Sequence, residues 1–146
     1  MPATEALTHG VYLVGVDAEG VRNLMTAAWV TQISSNALLL AVGRTHYTAE
    51  LIRRCGHFSL SVLTGEHREI ARRCGTVSGR RENKLAGLPL GSSADGDPVL
   101  DGAAAHFSCR VIETAEVLDH VLFCGEIVSS THFGGTPMQY HPGDFF

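Results

Sequence analysis

The spacing of apolar and polar residues predicts a chain made mostly of β-strands. In residues 58–63, Phe58, Leu60 and Val62 alternate with Ser59 and Ser61, the period of two expected of a strand with one buried face. Strand-like sequence also occupies residues 11–16, 21–34, 38–42, 105–113 and 120–130. A turn at residues 17–20 joins the first two into a hairpin, and the long second strand is expected to bend.

Two segments have helical spacing instead. Residues 48–55 place Leu51, Ile52 and Cys55 on one face and stop at Gly56. Residues 64–74 are similar, with Thr64 as a possible N-cap and Gly75 as the end. Residues 87–102 are rich in Gly, Ser, Asp and Pro and predict a long surface loop. Antiparallel strands with two short helices predict a mainly β protein, a small closed or partly open barrel.

Composition narrows the class of protein. The 146 residues suit one domain covering 1–146, and the net charge of −4 argues against a nucleic-acid partner. No stretch approaches the length of a membrane span, and the N-terminus lacks a secretory pattern, so a cytoplasmic location is expected. The four cysteines form no CxxC pair and no cluster with histidine, which predicts free thiols and no metal site.

The segment 23–34, which begins at Asn23, is unusual for a strand. It places the small residues Thr26, Ala27 and Ala28 beside the only tryptophan, Trp29. Small side chains let a flat ligand such as an isoalloxazine ring approach the backbone, whose N–H and C=O groups can then bind the polar edge of the ring. The alternative is that the alanines simply fit a tight barrel interior.

The turn from Arg44 to Thr48 lies between a buried strand and a helix start. A positive charge, hydroxyl groups and free N–H groups at a helix N-terminus form a phosphate-binding site. An ordinary N-cap at Thr48 with a solvated Arg44 is the alternative. The segment 74–84 adds Arg80, Arg81 and Lys84, which either surround an anionic ligand or form a solvated basic loop.

His120 follows Asp119 directly in the sequence. The two could form a proton relay, although neighbouring residues of a strand point to opposite faces. The alternative for a lone histidine near a strand is a purely structural role.

Together and in this order, these segments resemble the flavin reductase-like, FMN-binding split-barrel family. The matching pieces are GVYLVGVDAEGVRNLMTAAWVTQIS, LLLAVGRTHYTAELIRRCGHFSLSVL, CGTVSGRRENK and DHVLFCGEIV, and the two middle pieces are most similar to flavoredoxin and the flavodomains of NAD(P)H:rubredoxin oxidoreductases. The resemblance implies a Greek-key split barrel and a homodimer with FMN in a groove at or near its interface.

The resemblance also implies a role for individual residues. Thr26, Ala27, Ala28 and Trp29 would lie along the flavin ring and ribityl chain, and Asn23 would also bind the cofactor. Gln32 and Ser34 would lie near the ribityl–phosphate end. The phosphate turn would comprise Arg44, Thr45, His46 and Thr48, and Lys84 ends the third motif. His120 would lie near the flavin face where nicotinamide stacks. The chain departs from the family pattern at residues 34–37, SSNA, where many members have a proline pair, and at Cys74, where a phenylalanine is usual.

The function implied is an NAD(P)H-dependent flavin oxidoreductase with bound FMN, or FAD in its place. Electrons would pass to free flavin, a rubredoxin-like protein or a monooxygenase partner. A non-enzymatic flavin-binding electron-transfer module is the alternative. A split barrel that has lost flavin or binds haem or a deazaflavin is a third reading.

Overall fold

Nine strands and two α-helices make up the part of the chain that the computed structural model describes, residues 2–76, 78–79 and 83–146. The strands are β1 (Tyr12–Ala18), β2 (Val21–Ala27), β3 (Val30–Ser34), β4 (Ala37–Gly43), β5 (His57–Val62), β6 (Leu90–Ser92), β7 (Pro98–Leu100), β8 (Ala105–Val117) and β9 (His120–His132). The helices are α1 (Tyr47–Cys55) and α2 (Arg68–Thr76), with single 3₁₀ turns at Ala3–Ala6 and Gly65–His67. The predicted fold class, mainly β with short helices, is confirmed.

Seven of the described strands form one antiparallel sheet that closes on itself. Their order is β2-β1-β5-β8-β9-β4-β3, so β2 and β3 are the two edges although they follow each other in the chain. Only Ala28 and Trp29 separate them, which limits the distance between Ala27 and Val30 to about 11 Å. The edges must therefore lie side by side, and the described strands form a split barrel whose open seam runs beside Ala28 and Trp29.

Helix α1 begins and ends close to the predicted residues. Its N-cap is His46, and Gly56 ends it in the left-handed conformation (φ 82°), with an N–H that donates to the Ile52 carbonyl. The buried side chains Leu51 and Ile52 face the barrel, as the spacing predicts. The helix follows β4 directly, so its first turn lies beside the seam.

Helix α2 differs from the prediction at both ends. Thr64 forms the predicted N-cap, but the chain first makes a 3₁₀ turn, and the Thr64 N–H donates to His67 Nδ1 at 3.0 Å. The helix then passes Gly75 and ends at Thr76. A side chain at position 75 would collide with the carbonyl oxygen of Phe145, so this glycine allows a close approach rather than ending the helix.

The predicted surface loop 87–102 is largely structured. Strands β6 and β7 pair within it, and Asp97, Val99 and Leu100 are buried. Polar composition concealed this because the partners of Asp97 come from distant strands: the Asp17 backbone N–H of β1 and the His57 side chain of β5. The predicted strand 21–34 breaks at Ala28, since the chain crosses there from one edge of the sheet to the other.

The buried apolar residues form two clusters. The larger one fills the barrel and includes Leu40, Phe58 and Phe123. The smaller one, around Leu13 and Phe145, packs α2 and the segment 138–146 against the outside of β1 and β2. Both clusters border the seam. The residues that would contact a ligand bound there are therefore supported by packed core side chains.

The structure also tests the expected free thiols and the expected absence of a membrane span. All four cysteines are free, as predicted, and Cys109 and Cys124 are buried in strands. Among the described residues, no helix has the length and apolarity needed to cross a bilayer.

Candidate functional site

Two adjoining cavities open along the seam of the barrel. The first, here called the apolar cavity, has a volume of about 430 Å³. The second, the polar cavity, has a volume of about 280 Å³. Met25, His46 and Gly75 line both, so the two form one groove with an apolar and a polar end.

The apolar cavity is built where β2 leaves the barrel edge. Ala27 and Ala28 are buried and small, so the backbone itself forms part of the wall. The Trp29 side chain beside them is 53% exposed, and its ring centroid lies 5.1 Å from that of His120 at an angle of 41°. Ala41 and Val42 of β4 form a further wall. Such a slot has the shape and chemistry for a flat aromatic ligand.

His120 is oriented by its neighbour in sequence. Leu118 adopts φ 55° in the turn between β8 and β9, so Asp119 lies in a turn and the alternation of a strand does not separate the two side chains. His120 Nδ1 lies 2.9 Å from Asp119 Oδ1, and this hydrogen bond is the main cause of the lowered pKa of Asp119. With Nδ1 held by the carboxylate, the other side of the ring remains available to the cavity.

The polar cavity contains a buried side-chain atom without a partner. Asn23 Nδ2 donates to Thr48 Oγ1 at 3.0 Å, but Asn23 Oδ1 has no hydrogen-bond partner among the described residues. A side chain at Gly79 would collide with this same oxygen. The loop can therefore approach Asn23 only because residue 79 is glycine, and the oxygen still lacks the hydrogen bond that buried polar atoms normally make.

Lys84 is a buried cation in the same cavity. It is 3% exposed, and among the described residues Nζ makes a single, long hydrogen bond of 3.4 Å to the carbonyl of Cys74. No ion pair among the described residues joins it to a carboxylate. Burial lowers the pKa of Lys84 and raises that of Cys74. A buried charge with so little compensation is the kind of group that an anionic ligand stabilises.

The first turn of α1 completes the polar cavity. Thr45, His46 and Thr48 line it, and Thr48 is buried. A helix N-terminus presents N–H groups without intrahelical partners and a positive partial charge, both of which favour a phosphate. The donor set of this cavity therefore fits the phosphate end of a nucleotide-like ligand.

Most of the residues predicted from the sequence are brought together at the seam. The structure places ten in the walls of one or both cavities: Asn23, Thr26, Ala27, Ala28, Trp29, Thr45, His46, Thr48, Lys84 and His120. The hydroxyl of Thr26 donates to the Ala71 carbonyl at 2.6 Å, so it fixes α2 against β2. The roles of these residues in binding or catalysis stay predictions.

Three predicted residues lie outside both cavities. Gln32 and Ser34 are exposed on the edge strand β3, where Gln32 Nε2 donates to the Ser34 carbonyl. Arg44 is exposed, and its N–H donates to the Asp119 carbonyl, so it supports the turn beside His120. Arg80 and Arg81 fall outside the described residues.

The sequence reasoning missed Met25, Tyr140 and Phe146, which all line the apolar cavity. The rings of Tyr140 and Phe146 stack with centroids 5.4 Å apart. Two aromatic residues in a segment with little apolar patterning were the only local signal. Their position depends on Phe145, which is buried in the smaller core cluster.

Comparisons with known proteins agree with this geometry. A family model described as flavin reductase like domain matches residues 4–146. An uncharacterized protein of Archaeoglobus fulgidus is 40% identical over 115 residues, which are 75% of this chain and 65% of that protein, so this chain spans just under two thirds of its length. FMN reductase (NADH) RutF of Ancylobacter novellus is 31% identical over 136 residues, 91% of this chain and 74% of that protein. The structure of flavoredoxin from Methanosarcina acetivorans superposes with a TM-score of 0.80 at 29% identity, over 86% of this chain and 69% of that chain.

The chain belongs to the flavin reductase-like family. The resemblance, the split-barrel fold and an oxidoreductase function of flavin-reductase type are thereby confirmed at the level of the family. The groove fits a flavin nucleotide, because its apolar end suits a flat ring and its polar end holds a buried lysine that no carboxylate among the described residues pairs with.

Proposed function

We propose that this chain binds FMN in the seam groove and works as a flavin reductase that takes electrons from NAD(P)H and passes them to an acceptor. The observation that carries the proposal is the contrast within one groove. An apolar slot beside Trp29 continues into a polar cavity in which Lys84 is buried without a carboxylate partner among the described residues. FMN has the same asymmetry, a flat ring at one end and a phosphate at the other.

Each end of the groove has a distinct task in this proposal. Ala27, Ala28 and Trp29 would hold the ring and exclude water from it. Lys84, Thr48 and the first turn of α1 would hold the phosphate, and the relative named FMN reductase (NADH) supports FMN as the ligand. FMN, when bound, supplies the hydride-accepting chemistry. His120, oriented by Asp119, would position the nicotinamide ring against the apolar cavity.

The first experiment is cofactor content. The purified protein is denatured, and the released chromophore is identified and counted. About one FMN per chain, or saturable binding of added FMN, supports the proposal, and a protein that binds neither FMN nor FAD contradicts it. The rate at which NADH or NADPH reduces the bound flavin then tests whether the protein is a reductase. Tight FMN with negligible reduction would indicate an electron-transfer module instead.

The role of His120 has its own test. His120→Gln is expected to slow flavin reduction by NAD(P)H while the affinity for FMN changes little. In the proposal His120 positions nicotinamide against the flavin, whereas the small residues before Trp29 and the polar cavity hold FMN itself. His132→Gln is a matched control, since His132 is exposed at the far end of the same strand. Equal rates in His120→Gln and the wild type would remove the proposed role.

Further parts of the proposal concern partners and location. A homodimer is supported by exposed apolar side chains on the β8–β9 hairpin, among them Ile112, Val117 and Leu118, and light scattering would test it. The acceptor would be free flavin, a rubredoxin-like protein or a monooxygenase component. Four free cysteines are consistent with the reducing cytoplasm, where we place the protein.

A further inference from the structure

A third cavity lies on the outer side of Trp29. This outer cavity has a volume of about 430 Å³ and is walled by the N-terminal segment, Trp29 and the segment after β9. Trp29 and Tyr140 line both this cavity and the apolar cavity, so the two volumes are neighbours that share aromatic walls. A ligand with two flat groups joined by a linker could therefore place one group in the outer cavity and the other against a ring bound in the apolar cavity.

The base of the outer cavity is fixed by backbone hydrogen bonds. Gly10 and Gln139 form a β-bridge, and the Tyr140 N–H donates to the His9 carbonyl at 2.8 Å. The 3₁₀ turn Ala3–Ala6 closes the other side and carries Glu5, which lines the cavity. The segments around His9 and Tyr140 thus pair at this cavity, and the Glu5 carboxylate and the Trp29 ring both line it.

The polar groups of the outer cavity favour a ligand that donates hydrogen bonds and carries no negative charge near Glu5. Glu5, His9 and Tyr140 are its titratable members, and no lysine or arginine is among the described residues that line it. Aromatic faces stack with purine rings, and a carboxylate accepts hydrogen bonds from ribose hydroxyls. A phosphate on the ribose 2′ position would meet the Glu5 carboxylate, with no lysine or arginine among the described lining residues to offset the repulsion.

We propose that the outer cavity binds the adenosine end of the nicotinamide donor, with adenine against Trp29 and the ribose hydroxyls near Glu5, and that Glu5 thereby selects NADH over NADPH. The inference rests on the proposed function, because it takes the nicotinamide ring to stack on the flavin that the apolar cavity holds. It assigns Glu5 a selectivity role that lies outside the flavin groove.

The chain offers a direct probe of this cavity, because Trp29 is its only tryptophan. Adenosine 5′-monophosphate is titrated into the flavin-free and the FMN-loaded protein while Trp29 fluorescence is recorded. A saturable change is expected, with 2′,5′-ADP binding about tenfold more weakly because of its 2′-phosphate. In Glu5→Gln the difference between the two nucleotides should be lost, whereas the control Glu113→Gln, which removes an exposed charge outside the cavities, should retain it.

A kinetic arm measures the same selectivity. The ratio of kcat/KM for NADH to that for NADPH should fall about tenfold in Glu5→Gln and stay constant in Glu113→Gln. If adenosine 5′-monophosphate gives no saturable signal in either form of the protein, or if the ratio is the same in Glu5→Gln and wild type, the inference is wrong. Both results leave the proposed function standing, because flavin content and NADH oxidation are measured separately.

Discussion

Asp97 and Lys84 are both buried in the described part of the chain, but they differ in how far hydrogen bonds and opposite charges compensate for that burial. In the Asp97 cluster (Asp97, His57 and Ser59), the Asp97 side chain is 0% exposed, accepts the Asp17 N–H at 2.7 Å and lies 2.8 Å from His57 Nδ1. Ser59 Oγ donates to the Pro98 carbonyl at 2.6 Å. In the polar cavity, by contrast, Lys84 has one long hydrogen bond and Asn23 Oδ1 has none among the described residues.

The pKa shifts follow the same contrast. Burial raises the pKa of Asp97, but the Asp17 N–H and His57 both oppose that shift. Burial lowers the pKa of Lys84, and the opposing interaction comes from the Cys74 thiol, itself shifted toward its neutral form. The Asp97 cluster has its hydrogen-bond partners and connects β5 to the β6–β7 hairpin. The polar cavity lacks such partners among the described residues, and we expect a ligand to supply them.

Missing hydrogen bonds alone do not mark a ligand site. Ser93 Oγ and Ser108 Oγ also lack partners, and both line a separate cavity of about 150 Å³ rich in hydroxyl groups. That space suffices for a few waters of about 30 Å³ each, and these waters would supply the hydrogen bonds that the two neutral hydroxyls lack. The polar cavity differs because a buried cation, Lys84, lies in it without a carboxylate partner in the part of the chain that the structure describes.

The largest expected effect is on the free energy of unfolding, at the Asp97 cluster. Asp97→Ala removes the acceptor for Asp17 and His57 and should lower the free energy of unfolding by about 3 kcal/mol, measured by urea denaturation. Flavin affinity of the folded protein should stay unchanged. Asp95→Ala is the control, because it removes an exposed pairing with Arg110 and should cost little. A stable Asp97→Ala with weakened flavin binding would reverse the assignment of the two regions.

The next largest expected effect is on FMN affinity, at Lys84 in the polar cavity. Lys84→Met should weaken FMN by about 2 kcal/mol, the value of a hydrogen bond to a charged group, and leave riboflavin, which has no phosphate, unaffected. Stability without ligand should be equal or higher, because a buried charge is removed. Arg73→Met, an exposed cation outside the cavities, should change neither. Equal losses for FMN and riboflavin would place Lys84 away from the phosphate.

Two serines that face each other across β5 and β8 give a smaller, matched test. Ser59 and Ser108 are paired in register and both buried, but only Ser59 has hydrogen-bond partners. Ser59→Ala should cost about 1 kcal/mol of unfolding free energy, and Ser108→Ala clearly less. Equal costs in urea denaturation would mean that Ser108 has an equivalent partner, such as a tightly held water.

The smallest effect is a pH dependence. Because burial lowers the pKa of Lys84 below its ordinary 10.5, the unfolded chain binds more protons at that residue, and its contribution to stability rises with pH. The rise occurs between the lowered pKa of the folded protein and 10.5. The stability difference between wild type and Lys84→Met should therefore shift in favour of wild type as pH increases through that window. A difference that is constant with pH would contradict the lowered pKa.

Local patterns predicted those features that local physics controls. The alternation from Phe58 to Val62 gave β5, and the apolar spacing before Gly56 gave α1, since side-chain period and capping act within a few residues. The small residues before Trp29 indicated a slot for a flat ligand. Patterns failed for residues 87–102, because the polar Asp97 is buried only through partners 40 and 80 residues away.

By itself, the sequence determined the strands, the two helices and a set of chemical groups suited to a ring and a phosphate. Only the tertiary structure decided which of those groups meet. It brings Lys84 and Asn23 into one cavity, leaves Gln32 and Ser34 on an exposed edge, and adds Tyr140 and Phe146 to the apolar wall. The physical reason is closure of the barrel, which sets distant segments side by side at the seam, a juxtaposition that no local pattern records.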